Sequence, residues 1–280
     1  MAEPLEFYKF SGAGNDFILG DNRQGAWNAA PLPRLARGLC RRGLSVGADG
    51  LVLLETSTKA HLRLRLFNPD GSESPFCGNG ARCAARYAFL KVAAGRTMSL
   101  ETGAGVVSAR VLPDGRVEVE VPLPPEEPAP VEVSLPRGTV PGLRVLAGVP
   151  HLVVFVRDLS ALPVASLGAA LRSAPEAGPL GANVDFVSLA GGPPYGVRTF
   201  ERGVEGETLA CGTGAVAVAS VLWSRRLVSG PVRLLPRSGK ELEVAPSGGR
   251  SPFCRLTGEA RPVYRGFLAQ ESLEEALSCG

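Results

Sequence analysis

The sequence contains the stretch Glu201-Arg202-Gly203-Val204-Glu205-Gly206-Glu207-Thr208-Leu209-Ala210-Cys211-Gly212-Thr213-Gly214-Ala215, in which a cysteine stands directly before a Gly-x-Gly turn. An apolar run of small residues follows at 216–223 and predicts that the stretch leads into the first turn of a buried helix. A cysteine in this place faces unpaired backbone N–H groups and the positive end of the helix dipole, and both favour the thiolate over the thiol. The glycines allow the backbone to approach a ligand closely.

The same arrangement occurs a second time, earlier in the chain. Residues 67–81 end in Cys77-Gly78-Asn79-Gly80-Ala81, and helix-forming residues follow to about Val92. Each copy comes after a strand-like run that ends in phenylalanine, at 62–67 and at 196–200. Two copies in matching context predict two related halves, each with one cysteine at the start of a helix.

Length and charge fit a globular protein with two domains. The chain has 280 residues and a formal net charge of +3, which is too small to indicate nucleic-acid binding. The N-terminus lacks the basic-then-apolar pattern of a signal peptide, and no apolar run is long enough to span a membrane. We therefore expect a cytoplasmic protein with neither a membrane nor a nucleic acid as its partner.

The cysteines are too scattered to predict a metal site or a disulfide framework. They stand at 40, 77, 83, 211, 254 and 279, and none of their spacings matches a zinc knuckle. The chain has only two histidines, His61 and His151, and no lysine lies in a recognisable pyridoxal context. We expect no bound metal and a reaction without a cofactor.

Short strands and few helices account for the rest of the pattern. Besides the two helices after the cysteines, helical patterns lie at 33–40, 167–171 and 273–277, and strand patterns lie at 7–10, 51–54, 61–67, 106–111, 116–121, 152–156, 232–235 and 241–244. Prolines are dense at 122–130, which disfavours helix and central strand and predicts a linker. The sequence predicts an α+β fold of two pseudo-symmetric domains, each a curved, barrel-like sheet rich in antiparallel pairs around a central helix.

Two loops also resemble each other. Gly12-Ala13-Gly14-Asn15-Asp16-Phe17 and Gly181-Ala182-Asn183-Val184-Asp185-Phe186 each present an asparagine on a glycine-led loop, which is a second indication of duplication. A hairpin turn with a left-handed asparagine is an equally simple interpretation of either loop. His151 stands where a loop meets a core strand, and by itself it indicates a hydrogen-bonded core residue.

Paired thiols of this kind suit the inversion of a stereocentre. If the two halves face each other across a cleft, a thiolate on one wall can remove a proton from carbon while a thiol on the other wall delivers one. The Gly-Asn-Gly and Gly-Thr-Gly backbones supply N–H donors for a substrate carboxylate and for the enolate-like charge that develops beside it.

With these motifs the sequence resembles the diaminopimelate epimerase family. The resemblance covers nearly the whole chain and rests on motifs that occur in the family's order: residues 12–17, 68–72, 77–80, 181–183, 201–203 and 207–214. It implies a homodimer and a two-base mechanism without pyridoxal phosphate. The implied reaction interconverts LL- and meso-2,6-diaminoheptanedioate for lysine and peptidoglycan synthesis. We expect an N-terminal domain of residues 1–121 plus 266–280, a C-terminal domain of residues 122–265, and an active site in the cleft between them.

The resemblance also implies roles for single residues. Cys77 and Cys211 match the acid/base pair, and His151 and Glu201 match the groups that assist these thiols. Four residues match the set that binds the distant amino-acid end of the substrate: Asn15, Asn68, Asn183 and Arg202. Gly78, Asn79, Gly212 and Thr213 match the set at the reacting carboxylate, and Glu201 also belongs to the substrate-binding set. Two positions depart from the family's pattern: Val149 stands where many members have asparagine, and Gly50 where some have glutamine.

Several alternatives stay open from the residues alone. A related racemase or epimerase for proline or hydroxyproline would also use paired cysteines, but it would not need the distant Asn/Arg set. A thiol hydrolase would need one cysteine with His151, and a binding protein of the same fold would need none. Both cysteines could instead be buried and inert, Glu201 and Arg202 a solvated ion pair, and the asparagines turn residues.

Overall fold

The computed structural model describes residues 4–92, 94–136, 138–249 and 251–278. Residues Met1–Glu3 lie outside the described residues, and the prediction of no signal peptide rests partly on them. Cys279, one of the six cysteines, also lies outside the described residues. The helices are α1 (Leu32–Leu39), α2 (Gly78–Lys91), α3 (Val164–Arg172), α4 (Gly212–Ser224) and α5 (Gln270–Ser278). The strands are β1 (Glu6–Gly12), β2 (Asn15–Asp21), β3 (Gly50–Glu55), β4 (Leu62–Phe67), β5 (Glu73–Ser74), β6 (Thr97–Thr102), β7 (Gly105–Val111), β8 (Val117–Pro122), β9 (Ala129–Leu135), β10 (Gly138–Ala147), β11 (Val149–Phe155), β12 (Asn183–Ser188), β13 (Tyr195–Glu201), β14 (Gly206–Thr208), β15 (Val232–Leu235), β16 (Leu242–Pro246), β17 (Phe253–Gly258) and β18 (Arg261–Phe267).

The chain forms two compact units, Met1–Val119 with Gly258–Gly280, and Glu120–Thr257. These limits differ from the predicted domain boundaries by two residues at the first boundary and by eight at the second, and the domain boundaries remain a prediction. In the first unit β18 pairs with β1, and α5 contacts α1. The contact between these helices is close, because a Cβ on Gly38 would lie 2.3 Å from the Cα of Ala276.

The first unit wraps its strands around α2. β1 pairs antiparallel with β2, β2 parallel with β3, and β3 antiparallel with β4. β4 then pairs antiparallel with β5 and parallel with β6, and β6 antiparallel with β7. α2 is largely apolar and small on its buried face, and it contacts β1, β2, β3, β4, β6 and β7. Small side chains let strands approach a central helix from several sides.

The second unit repeats this pairing order. β10 pairs antiparallel with β11, β11 parallel with β12, and β12 antiparallel with β13. β13 pairs antiparallel with β14 and parallel with β15, and β15 antiparallel with β16. α4 follows β14 as α2 follows β5, and it contacts β10, β11, β12 and β16. The strands β10 to β16 therefore correspond to β1 to β7, and the predicted α+β fold with two related halves is confirmed.

The predicted equivalence of the two asparagine loops is wrong. Asn15 begins β2, whose counterpart is β11, whereas Asn183 begins β12, whose counterpart is β3. The residue of the second unit that matches Asn15 is therefore Val149, the first residue of β11. Each loop leads into a largely buried strand, but the two strands stand at different places in the two units.

The structure contains the predicted helices and strands, and it also contains strands that the sequence did not predict. Helices α1, α3 and α5 and the strands that overlap the predicted runs confirm those patterns. The β9–β10 hairpin was not predicted, because prolines interrupt both strands; Pro130 lies opposite Leu143, and Pro141 opposite Glu132. Within the described residues, no helix is long and apolar enough to cross a membrane.

Candidate active site

Cys77 stands at the start of α2 in the first unit. It is the residue before the first helical turn, with an extended backbone (φ −144°), and it is half-buried. Gly78 and Asn79, the first two residues of the helix, are buried, and Asn79 is 2% exposed. The predicted loop before a buried helix is confirmed here, and it places the thiol beside the N–H groups of the first turn.

Two of the predicted asparagines meet in the first unit. Asn79 donates a side-chain hydrogen bond to the amide oxygen of Asn15, whose own amide nitrogen donates to Asp49 Oδ2 at 3.1 Å. Asn15 is not left-handed, because the two-residue turn before it takes its positive φ at Ala13 (60°) and Gly14 (116°). The turn therefore places Asn15 at the start of β2, where its side chain contacts Asn79 in the first turn of α2.

Asn68 lies in a turn of its own after β4. Its backbone N–H donates to the carbonyl of Ser72, and its side-chain amide donates to Ser72 Oγ at 2.9 Å. Ser72 in turn donates to Asp70 Oδ1 at 2.6 Å. Turn chemistry therefore accounts for the described contacts of Asn68.

Cys211 stands at the start of α4 in the second unit, in the same way as Cys77 in the first. Its sulfur accepts a hydrogen bond from the N–H of Gly214 at 3.4 Å and lies 3.3 Å from Thr213 Oγ1. Gly212 begins the helix, and Cys211 is half-buried. Both cysteines are therefore the residue before the first turn of a helix and have an extended backbone, but only Cys211 accepts a capping hydrogen bond through its sulfur.

The start of α4 favours the thiolate of Cys211, as predicted, but other influences outweigh this effect. Burial raises the pKa of this thiol well above its usual value, and the charges of Glu201 and Asp185 raise it further. Hydrogen bonds from Thr213 and Gly214 act in the opposite direction but do not compensate. Burial likewise raises the pKa of Glu201, which accepts hydrogen bonds from Thr208 and Cys211. The described state therefore holds a neutral thiol against a carboxyl group that can accept its proton.

His151 belongs to a fully buried network that orients its ring. Its Nδ1 lies 2.7 Å from Asp185 Oδ2, and Thr199 donates to Asp185 Oδ1 at 2.8 Å. A carboxylate only accepts, so Nδ1 carries the proton and Nε2 keeps its lone pair in the neutral ring. The side chain of Asn183 faces that nitrogen, with Nδ2 at 3.5 Å from Nε2.

Asp185 was missed from the sequence. It lies in β12 between Val184 and Phe186 and is 0% exposed. An acidic residue inside a strand that is otherwise buried was the available signal, because such a residue is rare unless paired.

Arg202 and Asn183 are also brought together. The backbone N–H of Arg202 donates to Asn183 Oδ1 at 2.8 Å, which leaves the amide nitrogen of Asn183 turned toward His151. The guanidinium of Arg202 donates to the carbonyl of Leu180 at 3.3 Å and is half-buried. A guanidinium held in this way is suited to grip a carboxylate.

Comparisons with known proteins agree with this arrangement. The family model for diaminopimelate epimerase matches residues 7–122 and 144–261. The diaminopimelate epimerase of Aquifex aeolicus is 40% identical over 280 residues, which cover 96% of this chain and 100% of that protein. The diaminopimelate epimerase of Chlorobaculum tepidum is 41% identical over 263 residues, with 92% and 99% covered.

Solved structures with lower identity share the fold. A phenazine biosynthesis protein of the PhzF family from Bacillus anthracis has a TM-score of 0.72 at 15% identity and covers 95% of this chain and 99% of its own. A hydroxyproline epimerase from Agrobacterium vitis has a TM-score of 0.69 at 18% identity, with 95% and 92% covered. The sequence matches run through both cysteine loops and span almost the full length of the relatives, and the chain belongs to the diaminopimelate epimerase family.

Proposed function

We propose that the protein epimerises LL-2,6-diaminoheptanedioate to the meso form, with Cys77 and Cys211 as the acid and base on one substrate molecule and without pyridoxal phosphate. The observation that carries the proposal is the repeated thiol at a helix start, one in each unit, in a chain of this family. The relatives named above carry the same activity in their names.

The reaction moves one proton off the α-carbon and one onto it. A thiolate takes the α-proton and becomes a thiol, and the electron pair of the broken C–H bond passes into the carboxylate as an enolate-like charge. The other thiol gives its proton to the opposite face of the carbon and becomes a thiolate. The proton count is unchanged, and the two sulfurs exchange protonation states.

The second unit supplies the groups that move the proton on Cys211. Glu201 accepts a hydrogen bond from this thiol, and burial is the main reason that the pKa of each group is raised. The carboxyl group of Glu201 is therefore in position to exchange a proton with Cys211. His151, oriented by Asp185 through Nδ1, adds an imidazole whose Nε2 lies beside Asn183. We propose that His151 and Glu201 assist the thiols in gaining and losing their protons.

The remaining side chains bind the substrate in this proposal. Gly78 and Asn79, with Gly212 and Thr213, supply the N–H and hydroxyl donors of the two helix starts for the carboxylate at the reacting carbon. The distant amino-acid end is bound by Asn15, Asn68, Asn183 and Arg202, and Glu201 contacts the substrate from its place beside Cys211. Arg202 is the strongest of these ligands, because its guanidinium can bind a carboxylate through two parallel hydrogen bonds.

Arg202 also separates the proposal from a racemase for a smaller amino acid. We expect the wild-type protein to form meso-diaminopimelate from the LL isomer and to leave L-proline and trans-4-hydroxy-L-proline unchanged in a chiral chromatography assay. Arg202→Ala should lower kcat/KM for LL-diaminopimelate by about 100-fold or more, since the lost grip is a charge-assisted pair. Arg226→Ala, an arginine just after α4, is the control and should keep the wild-type value. Turnover of proline, or an unchanged rate in Arg202→Ala, would contradict this substrate assignment.

The proposal includes a homodimer in the cytoplasm. Strand β18 exposes the apolar side chains of Val263 and Phe267, which are 48% and 57% exposed, and exposed apolar residues of this kind suit contact with a second copy of the chain. The cysteines of the described residues are free, which fits a reducing compartment. Mass measurement by light scattering tests the dimer, and Phe267→Lys should shift the mass toward that of a monomer of 29.2 kDa.

A further inference from the structure

A fully buried arginine lies one turn beyond the thiol of the first unit. Arg82 is 0% exposed on α2, and its Nη2 donates to Asn79 Oδ1 at 2.8 Å. Its Nε and Nη1 have no hydrogen-bond partner among the described residues. Burial of a guanidinium with unmet N–H groups costs free energy, so stability alone does not explain this residue.

Arg82 begins a chain of hydrogen bonds that all run in one direction. Arg82 donates to Asn79, Asn79 donates to Asn15, and Asn15 donates to Asp49 Oδ2. A guanidinium can only donate and a carboxylate can only accept, so the two amides between them have one orientation that satisfies every bond. Asp49 is itself held by Arg42 at 2.7 Å and by the N–H of Asp16 at 3.1 Å.

This orientation decides what the two amides can offer a ligand. The oxygens of Asn79 and Asn15 each accept from the preceding member of the chain, and one N–H of each is used to donate to the next. The second N–H of each amide remains for a ligand, so both side chains serve as donors. Donors bind the oxygens of a carboxylate, whereas a flipped amide would present its oxygen and repel them.

The second unit supports the interpretation, because there the whole chain is replaced. The residues of α4 that match Asn79 and Arg82 by their distance from the cysteine are Thr213 and Val216, and the counterpart of Asn15 is Val149. The arginine and both amides are therefore present in one unit and absent from the other as a set. This is the pattern expected if the amides need the arginine.

We propose that Arg82 is a positioning residue that, through this chain, makes Asn79 and Asn15 a coupled pair of N–H donors for the carboxylate groups of the substrate. The proposal rests on the proposed function, in which both asparagines contact the substrate. It assigns Asp49 the matching role at the acceptor end.

A double-mutant cycle tests whether Arg82 acts through Asn79. KM and kcat for LL-diaminopimelate are measured for the wild type, Arg82→Met, Asn79→Ala and the double variant, with thermal unfolding of each. Arg82→Met should raise KM about 10-fold or more in the wild type but less than about 2-fold in the Asn79→Ala background, because residues that act as a unit are not additive. Arg86→Met is the control: it removes a guanidinium from the same helix, where Arg86 lies over the Phe89 ring at 5.6 Å, and it should leave KM unchanged.

The outcomes separate this inference from the proposed function. An unchanged KM in Arg82→Met, or an equal rise in both backgrounds, would overturn the positioning role. An unchanged KM in Asn79→Ala would instead show that Asn79 does not bind the substrate, which contradicts the proposed function at this residue. If Arg82→Met fails to fold, the same cycle is run at the other end with Asp49→Asn and Asn15→Ala, where an additive rise in KM overturns the inference.

Discussion

The thiol of Cys211 lies between opposing influences at the start of α4. The Gly214 N–H and the Thr213 hydroxyl stabilise a thiolate, whereas burial and the charges of Glu201 and Asp185 oppose it. Burial and these charges outweigh the two hydrogen bonds, and the pKa of the thiol lies well above its usual value. A proton donor is therefore ready in the free protein, and the carboxyl group of Glu201 is placed to receive that proton.

Replacing Glu201 tests this balance. In Glu201→Gln the carboxylate charge is gone, so the pKa of Cys211 should fall and alkylation of Cys211 by iodoacetamide should reach its half-maximal rate at a lower pH than in the wild type. The same variant should lose epimerase activity, because glutamine cannot take the proton. Mass spectrometry of the Cys211 peptide measures the alkylation, and Glu205→Gln, an exposed neighbour that pairs with Arg172, is the control. A higher or unchanged midpoint would mean that the charge of Glu201 does not hold the thiol neutral.

Asp16 gives a prediction on acid stability. Burial alone would raise the pKa of this carboxyl, but hydrogen bonds from Arg42 and Lys9 outweigh it and hold the pKa below the usual 3.8. Lys9 is 6% exposed, and its Nζ lies 2.8 Å from Asp16 Oδ2. A carboxyl with a lowered folded-state pKa stabilises the fold above its unfolded-state pKa, and this contribution is lost as the pH falls through the folded-state value.

The measurement compares Asp16→Asn with the wild type. The free energy of unfolding in urea should be lower for Asp16→Asn near pH 7, and the difference between the two proteins should narrow as the pH falls below about 4. A difference that stays constant over this range would show that ionisation of Asp16 does not contribute.

At the scale of single elements, Gly214 lets a buried carboxylate reach the start of α4. A Cβ on this residue would lie 2.3 Å from Asp185 Oδ1, which is too close for the carboxylate to stay in place. Gly214→Ala should therefore lower the free energy of unfolding by about 1–3 kcal/mol, although alanine favours helices, because the strain of overpacking exceeds the gain in propensity.

Activity should fall in the same variant, because Asp185 orients His151. Thermal unfolding and the epimerase assay measure both effects, and Gly206→Ala is the control, since its Cβ would come no closer than 4.0 Å to Val204. A fully stable and active Gly214→Ala would mean that Asp185 does not hold the ring from this position.

The sequence predicted elements well where one local signal acted alone. Helices after the two cysteines follow from runs of small apolar residues, and the alternation of Leu62 to Phe67 predicts β4 correctly. Strand β12 was not separated from its loop, because its buried pattern does not alternate and it carries Asp185. The β9–β10 hairpin was missed because a proline-rich run reads as a linker when the partner strand is unknown.

At the scale of the whole molecule, one pairing order carries two different chemistries. The first unit places amides and Arg82 beside its thiol, and the second places Glu201 and the pair of His151 and Asp185 beside its own. A duplicated frame with divergent side chains gives an epimerase two thiols in similar local settings with unlike neighbours.

The sequence also predicted the duplication, but it paired the wrong loops. The two cysteine loops match in topology, whereas Asn15 matches Val149 and not Asn183. Strand pairing, which no sequence pattern specifies, decides which positions are equivalent. The pKa of Cys211 was mispredicted for a related reason, since only the fold brings Glu201 and Asp185 to that thiol.

The most direct test of the two-thiol claim is proton exchange at the α-carbon. The reduced protein is incubated with LL-diaminopimelate in D2O, and NMR follows the α-proton while chiral chromatography follows the meso isomer, for the wild type, Cys77→Ala and Cys211→Ala. Cys83→Ala, a buried cysteine on α2, is the control. We expect the wild type and the control to incorporate deuterium and form the meso isomer, and both other variants to form none. Epimerisation that persists in Cys77→Ala or in Cys211→Ala, or no exchange in the reduced wild type, would contradict the two-thiol mechanism.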